Sequence, residues 1–307
     1  IMTLANFFRS YYHNNPEYLF SSPGRIEILG NHTDHNHGKV IVSTIDLSIL
    51  ALVRKTKNHY LTYKTDGYKE MKIDLNDLSV KPDEFNQSIG LIRGILFFIK
   101  QNNFHLGGLE IITTTNIFKG AGVSSSASFE LLIGKIVSYC YNNDRISKLL
   151  LAKIAQKAEI IYFNKKCGLL DQMGISFGGV NYIDFRNCEK PLVKKMKFNL
   201  QNYDIILTYC LDSHSQLNKQ YNSISEDMKK LASEFKMQYL RDVEENDFYQ
   251  KKNQLITKYG LNTYLRGEHF FKENHRVDEF LDAIKNNDEK KIISLINESG
   301  ESSFYNL

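Results

Sequence analysis

The strongest constraint on this chain is a change of hydrophobic period along it. Between Tyr18 and Asp74, apolar and β-branched residues come in short runs: YLFSS, RIEILG, KVIVSTI, LSILALVRKT, YLTYKT and EMKID. Runs of that length and makeup read as β-strands. The period then lengthens. Phe85, Ile89, Ile92, Ile95, Leu96 and Ile99 fall on one side of a helix over 84–100. Residues 107–115 read as a strand. A glycine and serine turn follows, then helices over about 126–141 and 147–163. Residues 167–177 read as helical and stop at Gly178-Gly179, as helices commonly do at glycine. Strands are expected near 180–185, 192–198 and 203–209, and charged helices over 216–235, 261–285 and 288–298. This pattern predicts an α+β protein with mixed or antiparallel sheets. The change of character near residues 180–190 marks a domain boundary.

A length of 307 residues suits one large domain or two ordinary ones. Lys and Arg number 39 against 35 Asp and Glu, a formal charge of +4 that is too small to mark a nucleic-acid partner. Hydrophobic residues at 42% and charged residues at 24% match ordinary globular domains, which excludes disordered, collagenous and coiled-coil chains. Cys140, Cys167, Cys188 and Cys210 form no C-x-x-C pair. Buried free thiols in a reducing cytosol are expected over disulfides. The start, IMTLANFFRSYYHNN, lacks a basic and then apolar leader, so no signal peptide is expected. The longest apolar stretch, 40–53, is broken by Asp46 and too short to span a bilayer. The expectation is a cytoplasmic protein with no membrane partner.

Three segments carry chemistry. The first is SPGRIEILGNHTDHN, from Ser22 to Asn36. Arg25 offers a planar five-donor fork for phosphate or carboxylate. Asn31, His32 and Asp34 crowd donors and acceptors together in a way that suits a polyol such as a sugar. His32, His35 and His37 also admit a metal, although H-x-x-H-x-H is not a standard zinc spacing. A plain polar loop, with Asn and Asp bonding their own turn, accounts for the residues equally well. The second segment is FKGAGVSSSAS, from Phe118 to Ser128. Its glycines let backbone approach a ligand, and the first-turn N–H groups of the following helix make an anion cradle. A first-turn serine hydroxyl can ligate Mg²⁺. The loop has neither the Lys-Ser/Thr ending of a Walker A motif nor a G-x-G-x-x-G pattern. An ordinary serine cap is the alternative. The third comprises Glu159 and then GLLDQM from Gly168 to Met173, where Asp171 is a lone acid in an apolar stretch. It is either a structural carboxylate or a working one.

In this order the three segments resemble the galactokinase branch of the GHMP small-molecule kinases. The family signature is similar to G-R-x-N-L-I-G-E-H-T-D-Y-N and stands here as GRIEILGNHTDHN. The phosphate loop resembles G-x-G-L-S-S-S-A-S and stands as GAGVSSSAS; the catalytic segment resembles C-G-x-x-D-Q and stands as CGLLDQM. The resemblance runs in register from about Phe20 to Leu307.

It implies the two-lobed α+β GHMP kinase fold with an active site in the inter-lobe cleft. An N-terminal domain would span 1–183 and a C-terminal domain 184–307. It also implies an ATP-dependent sugar 1-kinase that phosphorylates galactose. Asp171 would take or orient the anomeric hydroxyl proton, and Arg25 would lower its pKa and steady the moving charge. Gly120, Ala121, Gly122, Val123, Ser124, Ser125 and Ser126 would wrap the ATP phosphates, with Thr65 on the nucleotide side. Ser126 and Glu159 match the Mg²⁺ ligands. Asn31, His32, Thr33, Asp34, Gly168 and Tyr221 match the sugar-contacting positions. The implied partners are therefore a small-molecule sugar and ATP, on a monomer or weak homodimer.

Asn31 stands where most galactokinases carry Glu, at a position that faces the outer part of the sugar in that family. An amide adds no charge and would tolerate a carboxylate, so galacturonic acid is the rival substrate. A non-catalytic sugar sensor is the rival class, against which the intact serine run, Arg25 and Asp171 argue. Galactokinases also continue into a third glycine-rich motif similar to G-G-G-F-G-G, which is not found here. On that comparison the C-terminal domain is expected to be incomplete, and this form poorly stable and weakly active.

Overall fold

A computed structural model describes residues 2–118, 120–197, 203–208 and 218–307. The chain divides into two compact units, one of Ile1–Arg25 and Thr44–Gly178, the other of Ile26–Ser43 and Gly179–Leu307. The sequence suggests a single boundary at 183/184. The contacts instead divide the chain at 25/26, 43/44 and 178/179.

The first unit opens with α1 (Met2–Tyr12), whose Leu4 and Phe8 lie one turn apart and bury against Leu52 and Ile112. Strands β1 (Tyr18–Leu29) and β2 (Lys39–Thr56) pair with each other. Each merges two runs that the sequence reads as separate strands. Asp46 simply faces outward from β2. Strands β3 (Tyr60–Thr65) and β4 (Met71–Asp74) form an antiparallel pair. The first long helix, α2, spans Ser88–Gln101, four residues later than its apolar period suggests. Pro82–Glu84 is a 3-10 turn, and Asn86 at φ 60° breaks the helical path before α2 can start.

Strand β5 (Gly108–Thr115) completes this unit's sheet, antiparallel to β2 and parallel to β3, in the order β4-β3-β5-β2. Helices α3 (Ser125–Asn142), α4 (Lys148–Ile161) and α5 (Leu170–Phe177) follow. Leu132, Ile133, Ile136 and Val137 form the buried stripe of α3. The hydroxyl of Ser147 caps α4 by accepting from Leu150 N at 3.2 Å. Helix α5 begins at Leu170, so Cys167 and Gly168 precede it.

The second unit holds residues 26–43, β6 (Val180–Asp184) and β7 (Leu192–Lys195). Lys39–Ser43 of β2 pairs antiparallel with β6, and β6 pairs antiparallel with β7. Five helices follow among the described residues: α6 (Asn218–Ser233), α7 (Glu245–Gln250), α8 (Lys252–Tyr259), α9 (Leu261–Lys285) and α10 (Glu289–Asn306). Leu29, Ile41 and Tyr182 pack on Val277, Phe280, Ile292 and Leu295. A second core gathers Met228, Leu231, Phe248, Tyr264 and Phe270, with Phe248 and Tyr264 stacked at 5.2 Å.

Residues 203–208 adopt no strand, contrary to the sequence expectation, and Tyr209 lies outside the described residues. Cys140 is a buried free thiol and Cys167 a half-buried one, whereas Cys188, also half-buried, donates its Sγ–H to Phe185 O at 3.3 Å. Cys210 lies outside the described residues. Among the described residues no helix is long and apolar enough to cross a membrane.

Helices α2 and α4 meet through Gly94. A Cβ there would stand 2.8 Å from the Tyr162 ring and 2.9 Å from Ala158 Cβ. Gly94→Ala is expected to destabilise the protein by about 1–3 kcal/mol, the usual cost of overpacking, read as a lowered Tm in a thermal melt. An unchanged Tm would show that the helices separate freely.

Candidate active site

In the first unit the candidate residues converge on one carboxylate. Arg25 sits on β1 and Asp171 in the first turn of α5, 146 residues apart. Arg25 Nε and Nη2 donate to Asp171 Oδ1 at 2.9 and 2.6 Å. Its third nitrogen, Nη1, donates to Gly122 O at 2.7 Å, and its backbone N–H to Val123 O at 3.1 Å. Ser124 Oγ donates to the other carboxylate oxygen, Asp171 Oδ2. The arginine thus clamps both the loop and the acid. Gly24 permits this closeness, because a Cβ at that position would come within 2.9 Å of Val123 O.

The loop itself needs glycine. Gly120 and Gly122 lie at φ 82° and 73°, where other residues are strained, and a Cβ on either would meet open space. Ser124 accepts the left-handed region at φ 56°, immediately before α3. Val123 is buried and anchors the loop; Ser125 and Ser126 open the helix. The unpaired N–H groups of that first turn favour an anion.

Burial alone would raise the pKa of Asp171. The charge of Arg25, the Ser124 hydroxyl and the hydrogen bonds from Arg25 outweigh it, so the carboxyl is held below its ordinary value.

Behind the loop lies a second group. Ser126 Oγ stands 3.4 Å from Glu159 Oε1, and Lys165 Nζ pairs with the same oxygen at 2.7 Å. Gln172 Nε2 donates to Glu159 Oε2 at 2.9 Å and to Glu130 Oε2 at 3.2 Å. Burial, together with the charge of Glu159, drives the Glu130 carboxyl well above its ordinary pKa. The roles of Glu130, Lys165 and Gln172 are not apparent from the sequence. Only Glu130, a polar residue inside the apolar run of α3, gave a signal. Thr65 ends β3, with its hydroxyl 2.7 Å from that of Thr113. Gly168 lies just ahead of α5.

The second unit holds the signature loop. Asn31 Nδ2 donates to Ser303 Oγ at 2.9 Å, and His269 Nε2 donates to Asn31 O at 2.8 Å. Gly30 N donates to Glu273 Oε1 at 2.9 Å. Thr33 is fully buried, with its hydroxyl 2.8 Å from Gly30 O and 2.9 Å from Lys39 O, so it shapes the loop. Asp34 Oδ1 accepts from His35 N at 2.8 Å. His32 Nδ1 and His35 Nε2 stand 3.4 Å apart, while His37 stacks on Tyr239. Burial first, then neighbouring positive groups, lowers His32 to about 3 and His35 to about 4, so both are neutral imidazoles. Among the described residues no group of three or more His, Cys, Asp or Glu could hold a metal. Tyr221 lies on α6, but its side chain is outside the described residues.

Comparison with known proteins places this geometry. Residues 91–179 match the model of the GHMP kinases N terminal domain. Residues 6–55 match the galactokinase galactose-binding signature. The galactokinase of Clostridium tetani is 27% identical over 284 residues, covering 91% of this chain and 71% of that protein. The galactokinase of Limosilactobacillus reuteri is 28% identical over 298 residues, covering 94% and 75%. In fold, the chain resembles Lactococcus lactis galactokinase complexed with galactose, with a TM-score of 0.81 at 23% identity over 99% of this chain and 79% of that one. Methanococcus jannaschii mevalonate kinase aligns with a TM-score of 0.58 at 17% identity, covering 93% and 78%. Residues 91–179 thus carry a GHMP kinase N-terminal domain, and residues 6–55 the galactose-binding signature of galactokinases.

The Asp171 pair has a pH signature. Its folded pKa is lowered, so its stabilisation is complete above the ordinary carboxylate value of about 4 and is lost as pH falls through the folded value. The Asp171 side chain is 37% exposed, which holds the contribution to about 1 kcal/mol. Wild type is expected to lose stability more steeply than Asp171→Asn below pH ~4 in denaturant titrations. Parallel curves would show that Arg25 does not hold the carboxylate.

Proposed function

We propose that this chain is a galactokinase, transferring the γ-phosphoryl group of ATP to the anomeric hydroxyl of galactose to give galactose 1-phosphate and ADP. The observation that carries this is the clamp of Arg25 and Ser124 on Asp171, set against the Gly120–Ser126 loop. A phosphoryl group in flight needs positioning and charge neutralisation more than covalent help. The loop and the first turn of α3 supply the phosphate cradle. Asp171, ionised at neutral pH, orients the sugar hydroxyl and takes its proton as the new O–P bond forms and the bond to ADP breaks. Arg25 keeps the carboxylate ionised and faces charge developing beside it.

Ser126 and Glu159 present two hard oxygens close together, the donor set a protein gives Mg²⁺ when substrate phosphates supply the rest. Bound there, Mg²⁺ would neutralise phosphate charge. Asn31, His32 and Asp34 supply the sugar contacts, and Thr33 fixes the loop that presents them. Thr65, Gly168 and Tyr221 remain assigned by resemblance alone.

The choice between galactose and galacturonic acid turns on charge. The signature loop, residues 30–38, contains no Lys or Arg; its His32 and His35 are neutral and its Asp34 is an acid. Asn31 is constrained as well. Ser303 Oγ gives its proton to Ser299 O at 2.9 Å, so it accepts from Asn31 Nδ2 and leaves Oδ1 as an acceptor. An acceptor suits a sugar hydroxyl, and a carboxylate would find no countercharge in the loop.

With Mg²⁺-ATP, ADP release is expected with galactose, and kcat/KM is expected to fall at least ~10-fold with galacturonic acid. Asp171→Ala is expected to lower kcat by about 10²–10⁴, the usual worth of a positioned acid–base group. Transfer to no sugar by folded protein would favour the sensor class. Equal use of both sugars would remove the selectivity argument.

A further inference from the structure

One cation stands where the chemistry calls for a metal. Lys165 lies on the connection from α4 to α5, fixed by its backbone N–H donating to Glu159 O at 3.1 Å and by Asn164 at φ 62°. Its ammonium takes Glu159 Oε1, the same oxygen that faces Ser126 Oγ. The other oxygen of Glu159 is held by Gln172. The carboxylate side chain is 3% exposed and the lysine 41%, so the acid is fixed while the cation is free to leave. A second observation points the same way. Glu130 Oε1 and Gln172 Oε1 are buried without a hydrogen-bond partner, and the Gln172 amide ties both side chains to Glu159, so the group around Glu159 is rich in acceptor oxygens and poor in positive charge.

We propose that Lys165 is the resident counter-ion of Glu159: it holds the metal-ligand carboxylate in the metal-free protein and yields it to the divalent cation that arrives with the nucleotide. The inference rests on Ser126 and Glu159 being the metal ligands. Two cations cannot both have full use of one oxygen, so metal binding must work against the ion pair. Lys165 therefore sets metal affinity without touching the sugar. It also spares the metal-free protein an unpaired buried charge at Glu159.

The test is Mn²⁺ binding by electron paramagnetic resonance, with a non-hydrolysable ATP analogue present, on wild type, Lys165→Met, Lys165→Arg and Glu159→Gln. Lys165→Met is expected to tighten Mn²⁺ by about tenfold, the effect of removing one competing ion pair, and Lys165→Arg to stay near wild type. Lys165→Met is also expected to melt lower than wild type without metal and to regain more Tm when Mn²⁺ and nucleotide are added. If Glu159→Gln weakens Mn²⁺ while Lys165→Met matches wild type, the lysine inference fails alone. If Glu159→Gln leaves Mn²⁺ binding unchanged, the metal-ligand assignment fails and the inference falls with it.

Discussion

The Arg25–Asp171 pair decides how the first unit presents its chemistry. Arg25 ends the part of β1 that belongs to this unit, Asp171 starts α5, and Gly122, Val123 and Ser124 form the loop between β5 and α3. Nothing in local sequence brings these three stretches together; one guanidinium does. All three of its nitrogens are engaged, two on the acid and one on the loop. A lysine has a single charged nitrogen and could not span both. The loop depends on this clamp because Gly120, Gly122 and Ser124 all sit at positive φ. For Ser124 that conformation is costly, and it persists because the surroundings fix the residue from both sides. Its hydroxyl is on Asp171 and its carbonyl accepts from Ser128 N at 3.0 Å, in the first turn of α3.

The same unit handles three acids in three ways. Asp171 is kept charged by a cation and a hydroxyl. Glu130 is fully buried beside another carboxylate, and burial together with that neighbour drives its pKa well above the ordinary value. Glu159 is buried yet carries a lysine. The Gln172 amide bridges the last two, and Gln172 directly follows Asp171 in the chain. The acid beside the phosphate loop and the acid behind it are thus coupled through a single peptide unit. The arrangement suits the proposed phosphoryl transfer, in which one carboxylate would meet the hydroxyl and another would face a metal.

Much of this was legible in the sequence because the working residues sit in short contiguous segments. GRIEILGNHTDHN, GAGVSSSAS and CGLLDQM each carry several of their residues together, so order and spacing alone single them out. Strand and helix types followed from period, yet the joins did not. Pro23-Gly24 lies inside β1 without ending it, and Asp46 lies inside β2, where an outward-facing polar residue costs the strand little. Helices α1, α7 and α8 were not anticipated from the sequence. They are short, and they owe their stability to residues such as Leu52 and Ile112 under α1 and Tyr264 beside α7. Lys165, Glu130 and Gln172 were illegible for a related reason. Glu130 and Gln172 meet Glu159 across α3, α4 and α5, and Lys165 reaches it from the turn that follows α4.

The signature loop makes the same point more sharply. Its residues are consecutive, but its shape is set by helices more than two hundred residues away in sequence. Glu273 on α9 takes the Gly30 N–H, and Ser299 on α10 also donates to that carboxylate. His269 on α9 holds Asn31 O, and this bond fixes its tautomer: Nε2 carries the proton, so Nδ1 accepts from Ser302. A charged His269 could not accept that hydroxyl, and burial lowers its pKa accordingly. Gly30, at φ 101° and with its Cα within Cβ reach of Lys39 O, admits no side chain. Thr33 has already committed its hydroxyl to backbone carbonyls. Of the residues proposed to meet the sugar, Asn31 and His32 carry no charge and Asp34 is an acid. Such a set suits hydroxyl groups, which donate as well as accept. On the proposed function, α9 and α10 therefore shape the sugar-binding loop as much as the motif itself does.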